Sequence, residues 1–272
     1  MVGLKQARKK VPTKSGWRVV GRVFLMCLWV AISVIAVQFV VGMLMISMLG
    51  RDGFSRPVWT AVYSAVSYIL AMFLVVWVPP RVKIGQRSKN KDAHKKSGGE
   101  LCGAVSRQEF GLAGLPTWTD VGLGPVGFIA STLLAAGLVA LFTVFPWFNA
   151  EEAQNVGFSV YMSGGDRVIA FLTLVVMAPV AEEVIFRGWL YGKIRETLNG
   201  KMPEKWGVVV AILIVSVLFG AVHMQWNVGI NVFALSVVLC ALREVTGTIY
   251  AGILTHMIKN GVAFYLLYVL GI

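Results

Sequence analysis

The sequence predicts an all-α, multi-pass bundle of about seven transmembrane helices. Three observations predict it. Hydrophobic residues make up 57% of the 272, and the mean hydropathy is +0.74. Only 14% are charged, against about 25% in a soluble domain. The apolar residues fall in runs of about 20, long enough to cross a hydrocarbon layer as helices. A formal charge of +12 would suit nucleic-acid binding in a soluble protein. Here the basic residues stand between apolar runs, as they do in cytoplasmic loops. The expected partner is therefore the lipid bilayer of the cell membrane, and no nucleic acid.

The elements follow in order. Residues 1–22 form a basic tail with Lys5, Arg8, Lys9, Lys10, Lys14, Arg18 and Arg22. The run over 23–49 is too long for a signal peptide, whose apolar region is about 7–15 residues, so it reads as an uncleaved anchor. A second span covers 58–78 and ends at Pro79-Pro80. A basic loop, 81–96, follows. The third span covers 126–148 and leads into Glu151 and Glu152. The fourth runs from 167 to about 199, the fifth over 206–224, the sixth over 228–242, and the last from 248 onward. The sixth is short, which leaves a re-entrant or eighth segment open. Cys27, Cys102 and Cys240 form no Cys-x-x-Cys pair, so neither a disulfide framework nor a thiolate metal site is expected.

Charge sets the expected topology. The tail, the 81–96 loop and the loop with Lys193, Arg195, Lys201 and Lys205 are cytoplasmic, and the loop with Glu151, Glu152 and Asp166 is opposite. The N-terminus is then cytoplasmic and the C-terminus lies on the other side. The chain divides into the tail (1–22), the N-terminal helices with their basic loop (23–166) and the last helices (167–272).

Ionisable groups inside a bilayer are costly and mark function or protein contact. They cluster in the last third: Glu182 and Glu183, His223, and His256 with Lys259 and Asn260. Glu183 and Arg187, Phe219 and His223, and His256 and Asn260 are each four apart, so each pair shares a helix face. Glu182 and Glu183 point about 100° apart and should differ in role. Helix rise places His256 about 10–20 Å shallower than Glu183, unless the turn before it is sunk in the bundle. Pro179 cannot donate to the Val175 carbonyl, so a kink is expected there, with a freed carbonyl.

An apolar cavity disfavours an ionised carboxylate, and a nearby cation favours it. Glu183 with Arg187 and His223 therefore suits a general base for water. His256 and Asn260 offer donors one helical turn apart, suited to an oxyanion. Together they describe hydrolysis of an amide or ester. Glu182, His223 and His256 would also serve as a zinc set. The His-Glu-x-x-His signature is absent, so no cofactor is expected and zinc is the alternative. The competing readings are structural pairing of buried charges, a non-catalytic partner-binding or immunity protein, and a proton-coupled transporter. No internal repeat supports the last.

The same residues resemble a known family. Glu182-Glu183-Val-Ile-Phe-Arg187-Gly188 is similar to the EExxxR motif of the CAAX prenyl protease and bacteriocin-processing (CPBP, or Abi) family. Phe219-Gly-Ala-Val-His223 is similar to its FxxxH motif, and His256-Met-Ile-Lys-Asn260 to its HxxxN motif. All three occur in order, in separate helices, within 167–272; the first 120 or so residues carry none of them. The resemblance implies an intramembrane endopeptidase with 167–272 as its catalytic core. It implies that Glu182 or Glu183, with His223, activates water, and that His256 and Asn260 hold the oxyanion. The family's base is usually the first glutamate, here Glu182. Glu183 is then its support, with Arg187 and Phe219. The implied mechanism is metal-free. The resemblance does not fix the substrate; the expectation is a membrane-associated or prenylated peptide, or a membrane protein, cut near the cytoplasmic side. No oligomeric state follows.

Overall fold

The computed structural model describes residues 13–78, 108–152, 158 and 163–271. The 81–96 loop, Cys102, Pro79-Pro80 and most of the basic tail lie outside the described residues. Among the described residues, seven helices are long and apolar enough to cross a membrane. They are α1 (Thr13–Phe54), α2 (Pro57–Trp77), α3 (Trp118–Phe142), α4 (Gly164–Leu198), α5 (Glu204–Ala221), α6 (Trp226–Thr246) and α7 (Tyr250–Leu270). Among the described residues there is no strand. Large apolar side chains such as Phe24, Phe39, Met43, Ile129 and Leu133 are exposed on the outer faces. Lipid is the solvent that accepts such a surface, and the chain is a multi-pass membrane protein.

Several boundaries differ from those expected. Helix α1 begins at Thr13, so Arg18 and Arg22 ride on its first turns. Helix α3 begins eight residues earlier than residue 126. Its start is a capping box: Asp120 N donates to Thr117 Oγ1 at 3.3 Å, and Thr117 N donates to Asp120 Oδ2 at 2.8 Å. Such reciprocal bonds satisfy two of the helix's unpaired donors. Its far end, Phe142, opens a cluster with Phe145, Trp147, Phe148 and Trp226, an aromatic group of the kind found at a membrane interface. Helix α6 is 21 residues long, longer than the span expected over 228–242 and long enough for a full crossing.

Close backbone approach packs the C-terminal helices. A Cβ on Gly127 of α3 would lie 2.4 Å from Thr255 Oγ1 of α7, and Thr255 donates to the Gly124 carbonyl at 3.0 Å. A Cβ on Gly220 of α5 would lie 2.7 Å from the Gly229 carbonyl of α6. Only glycine permits either contact, the small-residue packing common between membrane helices.

The turn before α7 is sunk. Segment 108–116 covers it: Ile249 N donates to the Gly111 carbonyl at 3.0 Å, Tyr250 Oη to Gly114 at 2.9 Å, and Arg243 Nη2 to Glu109 at 3.1 Å. Arg243 also bonds the Gly247 carbonyl. Meanwhile α4 overshoots. Near the end of α6, Glu244 accepts from Tyr191 Oη at 2.6 Å and pairs with Arg195 at 2.9 Å, so the last turn of α4 projects beyond α6. These two features bring His256 level with Glu183.

Helix α4 is not a uniform α-helix. It carries π turns over Leu172–Met177 and Val184–Tyr191. Ala178 N donates to the Thr173 carbonyl, five residues back. In that register the partner of the Leu174 carbonyl is residue 179, a proline without an N–H. The Asn260 side chain supplies the missing donor, Nδ2 to Leu174 O at 2.9 Å. The carbonyl that a side chain satisfies is therefore that of Leu174 rather than Val175, because the π register shifts it by one.

Candidate active site

Four helices converge on the polar residues. On α4, Glu183 is fully buried, as is Arg187, and their ion pair is 2.9 Å long. The same oxygen, Glu183 Oε1, lies 3.1 Å from His256 Nδ1. A carboxylate oxygen accepts, so the imidazole donates from Nδ1. The Arg187 guanidinium sits 4.4 Å over the Phe219 ring. Phe219 in turn stands edge-on to His223, His256 and Phe186. It is the packing hub that keeps both histidines and the arginine in place. The histidine that meets Glu183 is thus His256 rather than His223.

Glu182 turns the other way, as the 100° step between neighbours requires. Its carboxylate is partly exposed to a cavity of about 410 Å³, which His223, His256 and Asn260 also line. Glu182 Oε1 accepts from Tyr68 Oη at 2.8 Å. Glu182 Oε2 stands 3.8 Å from His256 Nε2. That is too long for a hydrogen bond and suits two groups bound to a common water.

His223 Nδ1 is 2.8 Å from the Phe219 carbonyl. A carbonyl only accepts, so Nδ1 carries a proton, and Nε2 is the ring nitrogen that this bond leaves free. His223 lies just past the end of α5, in a turn where Met224 takes φ 56°. Left-handed backbone is unusual for a non-glycine residue and tends to occur at functional turns. Asn260 spends one amide N–H on Leu174, which leaves the second N–H and the oxygen. Lys259 lines the cavity too; among the described residues it makes no hydrogen bond and no ion pair within 4.0 Å.

The cavity occupies one end of the bundle. Its lining runs from Thr173 to Phe186 on α4, from His256 to Tyr268 on α7, and from Tyr63 to Ala71 on α2. Ile185, Phe186, Phe219 and Ala71, all buried, floor it toward the turn that carries Lys201 and Lys205. Among the described residues, no three of His, Cys, Asp and Glu gather as a metal-binding set; Glu182, His223 and His256 line one cavity without doing so.

Tyr68 is the residue that sequence reasoning passed over. Ser64, Ser67, Tyr68 and Ala71 line the cavity at the i, i+3, i+4, i+7 spacing of one helix face. Three polar residues on one face of an apolar span were the available signal.

Residues 164–262 match the family model described as type II CAAX prenyl endopeptidase Rce1-like. The match begins with α4 and ends within α7, so it holds all three motifs. No curated protein and no solved structure matches the chain. Residues 164–262 are therefore similar to an Rce1-like domain, and they are carried on a multi-pass membrane bundle.

Proposed function

We propose that this Rce1-like domain is a working endopeptidase that cuts a peptide bond with water activated by Glu182 and His223, while His256 and Asn260 hold the oxyanion. The observation that carries the reading is the cavity-facing carboxylate of Glu182, with Oε2 3.8 Å from His256 Nε2. In the proposed step, a water hydrogen-bonded in that gap adds its oxygen to the substrate carbonyl carbon. Its proton passes to Glu182 Oε2. The Nε2 lone pair of His223 is a second acceptor on the same cavity. The carbonyl oxygen takes the electron pair and is met by the free Asn260 N–H and by His256, which offers Nε2–H when doubly protonated. Collapse breaks the C–N bond, and the proton leaves Glu182 for the amine. Glu183 with Arg187 acts as the support that orients His256.

The reading keeps water activation on the protein's own side chains. A chelator such as 1,10-phenanthroline is expected to leave the activity unchanged; loss restored by zinc would move the proposal to a metal at Glu182, His223 and His256. The proposed substrate is a peptide segment of a membrane-associated or prenylated protein. A cavity near 410 Å³ accepts a few residues of extended chain rather than a folded partner.

Sidedness follows from charge. With the Lys193–Lys205 end and the 81–96 loop cytoplasmic, the cavity lies toward the opposite face. On that proposed orientation the cleavage would lie away from the cytoplasmic side, where the sequence placed it. Cysteines placed at Gly164 and Lys201 and labelled with a membrane-impermeant maleimide on intact cells test it: labelling at 201 and not at 164 would reverse the orientation.

The test of activity compares peptide termini, by mass spectrometry, in membranes carrying the wild-type protein or Glu182→Ala at matched expression. New termini are expected with the wild type only. Identical profiles, with the cellular phenotype retained by the variant, would replace the protease reading with that of a non-catalytic partner-binding protein.

A further inference from the structure

The strongest polar contact to the proposed base comes from outside the matched domain. Tyr68 lies on α2, and its hydroxyl reaches Glu182 Oε1 at 2.8 Å. The partner oxygen is on a carboxylate, so the phenol donates. A hydrogen bond to a charged group is shorter and stronger than a neutral one, and this one links helices 114 residues apart in sequence.

The contact has a consequence for the site's geometry. A carboxylate on a glutamate stem can rotate and present either oxygen. With Oε1 held by Tyr68, Oε2 is the oxygen left facing His256 Nε2 at 3.8 Å. The neighbouring glutamate shows the same logic with other partners: Glu183 Oε1 is held by Arg187 and His256. Each carboxylate thus has one anchored oxygen, but only the anchor of Glu182 comes from the N-terminal helices.

We propose that Tyr68 is a positioning residue for Glu182, so that α2 completes an active site which the 164–262 domain does not complete alone. It acts through Glu182 and rests on the endopeptidase reading. A neighbouring tyrosine supplies the contrast. The Tyr63 hydroxyl donates to the Gln38 carbonyl of α1 at 3.3 Å, a tie between two N-terminal helices with no contact to Glu182.

The experiment uses the full chain in lipid nanodiscs, with the membrane peptides that yield Glu182-dependent termini as probe. Tyr68→Phe is expected to lower kcat by roughly 10–100-fold, the size of one hydrogen bond to a charged group, with KM and thermal unfolding unchanged. Tyr68→p-aminophenylalanine, which restores a ring-borne donor, should recover most of the rate. A second readout needs no turnover: infrared carboxylate bands assigned to Glu182 by their loss in Glu182→Gln should shift in Tyr68→Phe. A wild-type rate and unshifted bands in Tyr68→Phe would overturn the positioning role while leaving the protease reading intact. If Glu182→Ala itself kept the termini, the underlying reading would fail, whereas the infrared result would still report whether Tyr68 holds the carboxylate.

Discussion

Glu182 and Glu183 are adjacent in sequence and opposite in circumstance. Glu183 is fully buried, shares one oxygen between Arg187 and His256, and backs onto the Phe219 hub. Glu182 is partly exposed to the cavity and has one oxygen held by Tyr68 and one facing His256 across a gap. On the proposed mechanism the two sides of α4 divide the labour. The rear is a closed ion set whose members are costly to remove, and the front keeps a basic oxygen within reach of water. The lesson is that identical side chains one residue apart are separated by what surrounds them. Burial with partners suits one to a structural role, and partial exposure suits the other to the proposed reaction.

The sharpest test of that division is at the front. Glu182→Ala should lower turnover by about 10²–10⁴-fold, the range for removing a general base, with the unfolding midpoint close to wild type; peptide-terminus counts and thermal unfolding in detergent read the two effects. The rear should respond the other way. Arg187→Ala strands a buried carboxylate and is expected to destabilise the bundle by about 3–5 kcal/mol, seen as a lower unfolding midpoint and poor yield. If Glu182→Ala proved the more destabilising of the two, the division between front and rear would be wrong.

Asn260 bridges the two sides, since it lines the cavity and caps a defect in α4. Asn260→Ala should cost about 1–3 kcal/mol, because the Leu174 carbonyl loses its donor. Adding Pro179→Ala returns a backbone N–H at the position the π register needs. The double variant should therefore regain stability but not turnover. Recovery of both would reduce Asn260 to a structural role. The smallest effect is expected far from the site: Thr117→Ala removes the α3 capping box and should cost about 0.5–2 kcal/mol, with no change in the peptide termini produced.

How much was legible in advance varies by feature, for physical reasons. The spans were readable because a bilayer imposes one length and one polarity on each helix. The start of α3 was missed because the capping box at Thr117 and Asp120 is a local signal weaker than the apolar run downstream. Spacing four apart gave the pairs Glu183–Arg187, Phe219–His223 and His256–Asn260, which a helix turns into shared faces; the choice of Glu182 as the partner of His223, His256 and Asn260 came from the family resemblance. The pairing of His256 with Glu183 did not follow from spacing. It depends on how far α4 overshoots and how deep the turn at Thr248 is sunk.

By itself, the sequence determined the all-α membrane class, the seven apolar runs and the three motifs at helical spacing, because these depend on composition and on periodicity within single segments. Only the tertiary structure decided which glutamate meets the cavity, which carbonyl Asn260 rescues and that Tyr68 reaches Glu182 from α2. Those are contacts between segments far apart in the chain. They are set by helix register, by glycine-permitted approach and by a π turn that shifts one hydrogen-bond partner by a single residue.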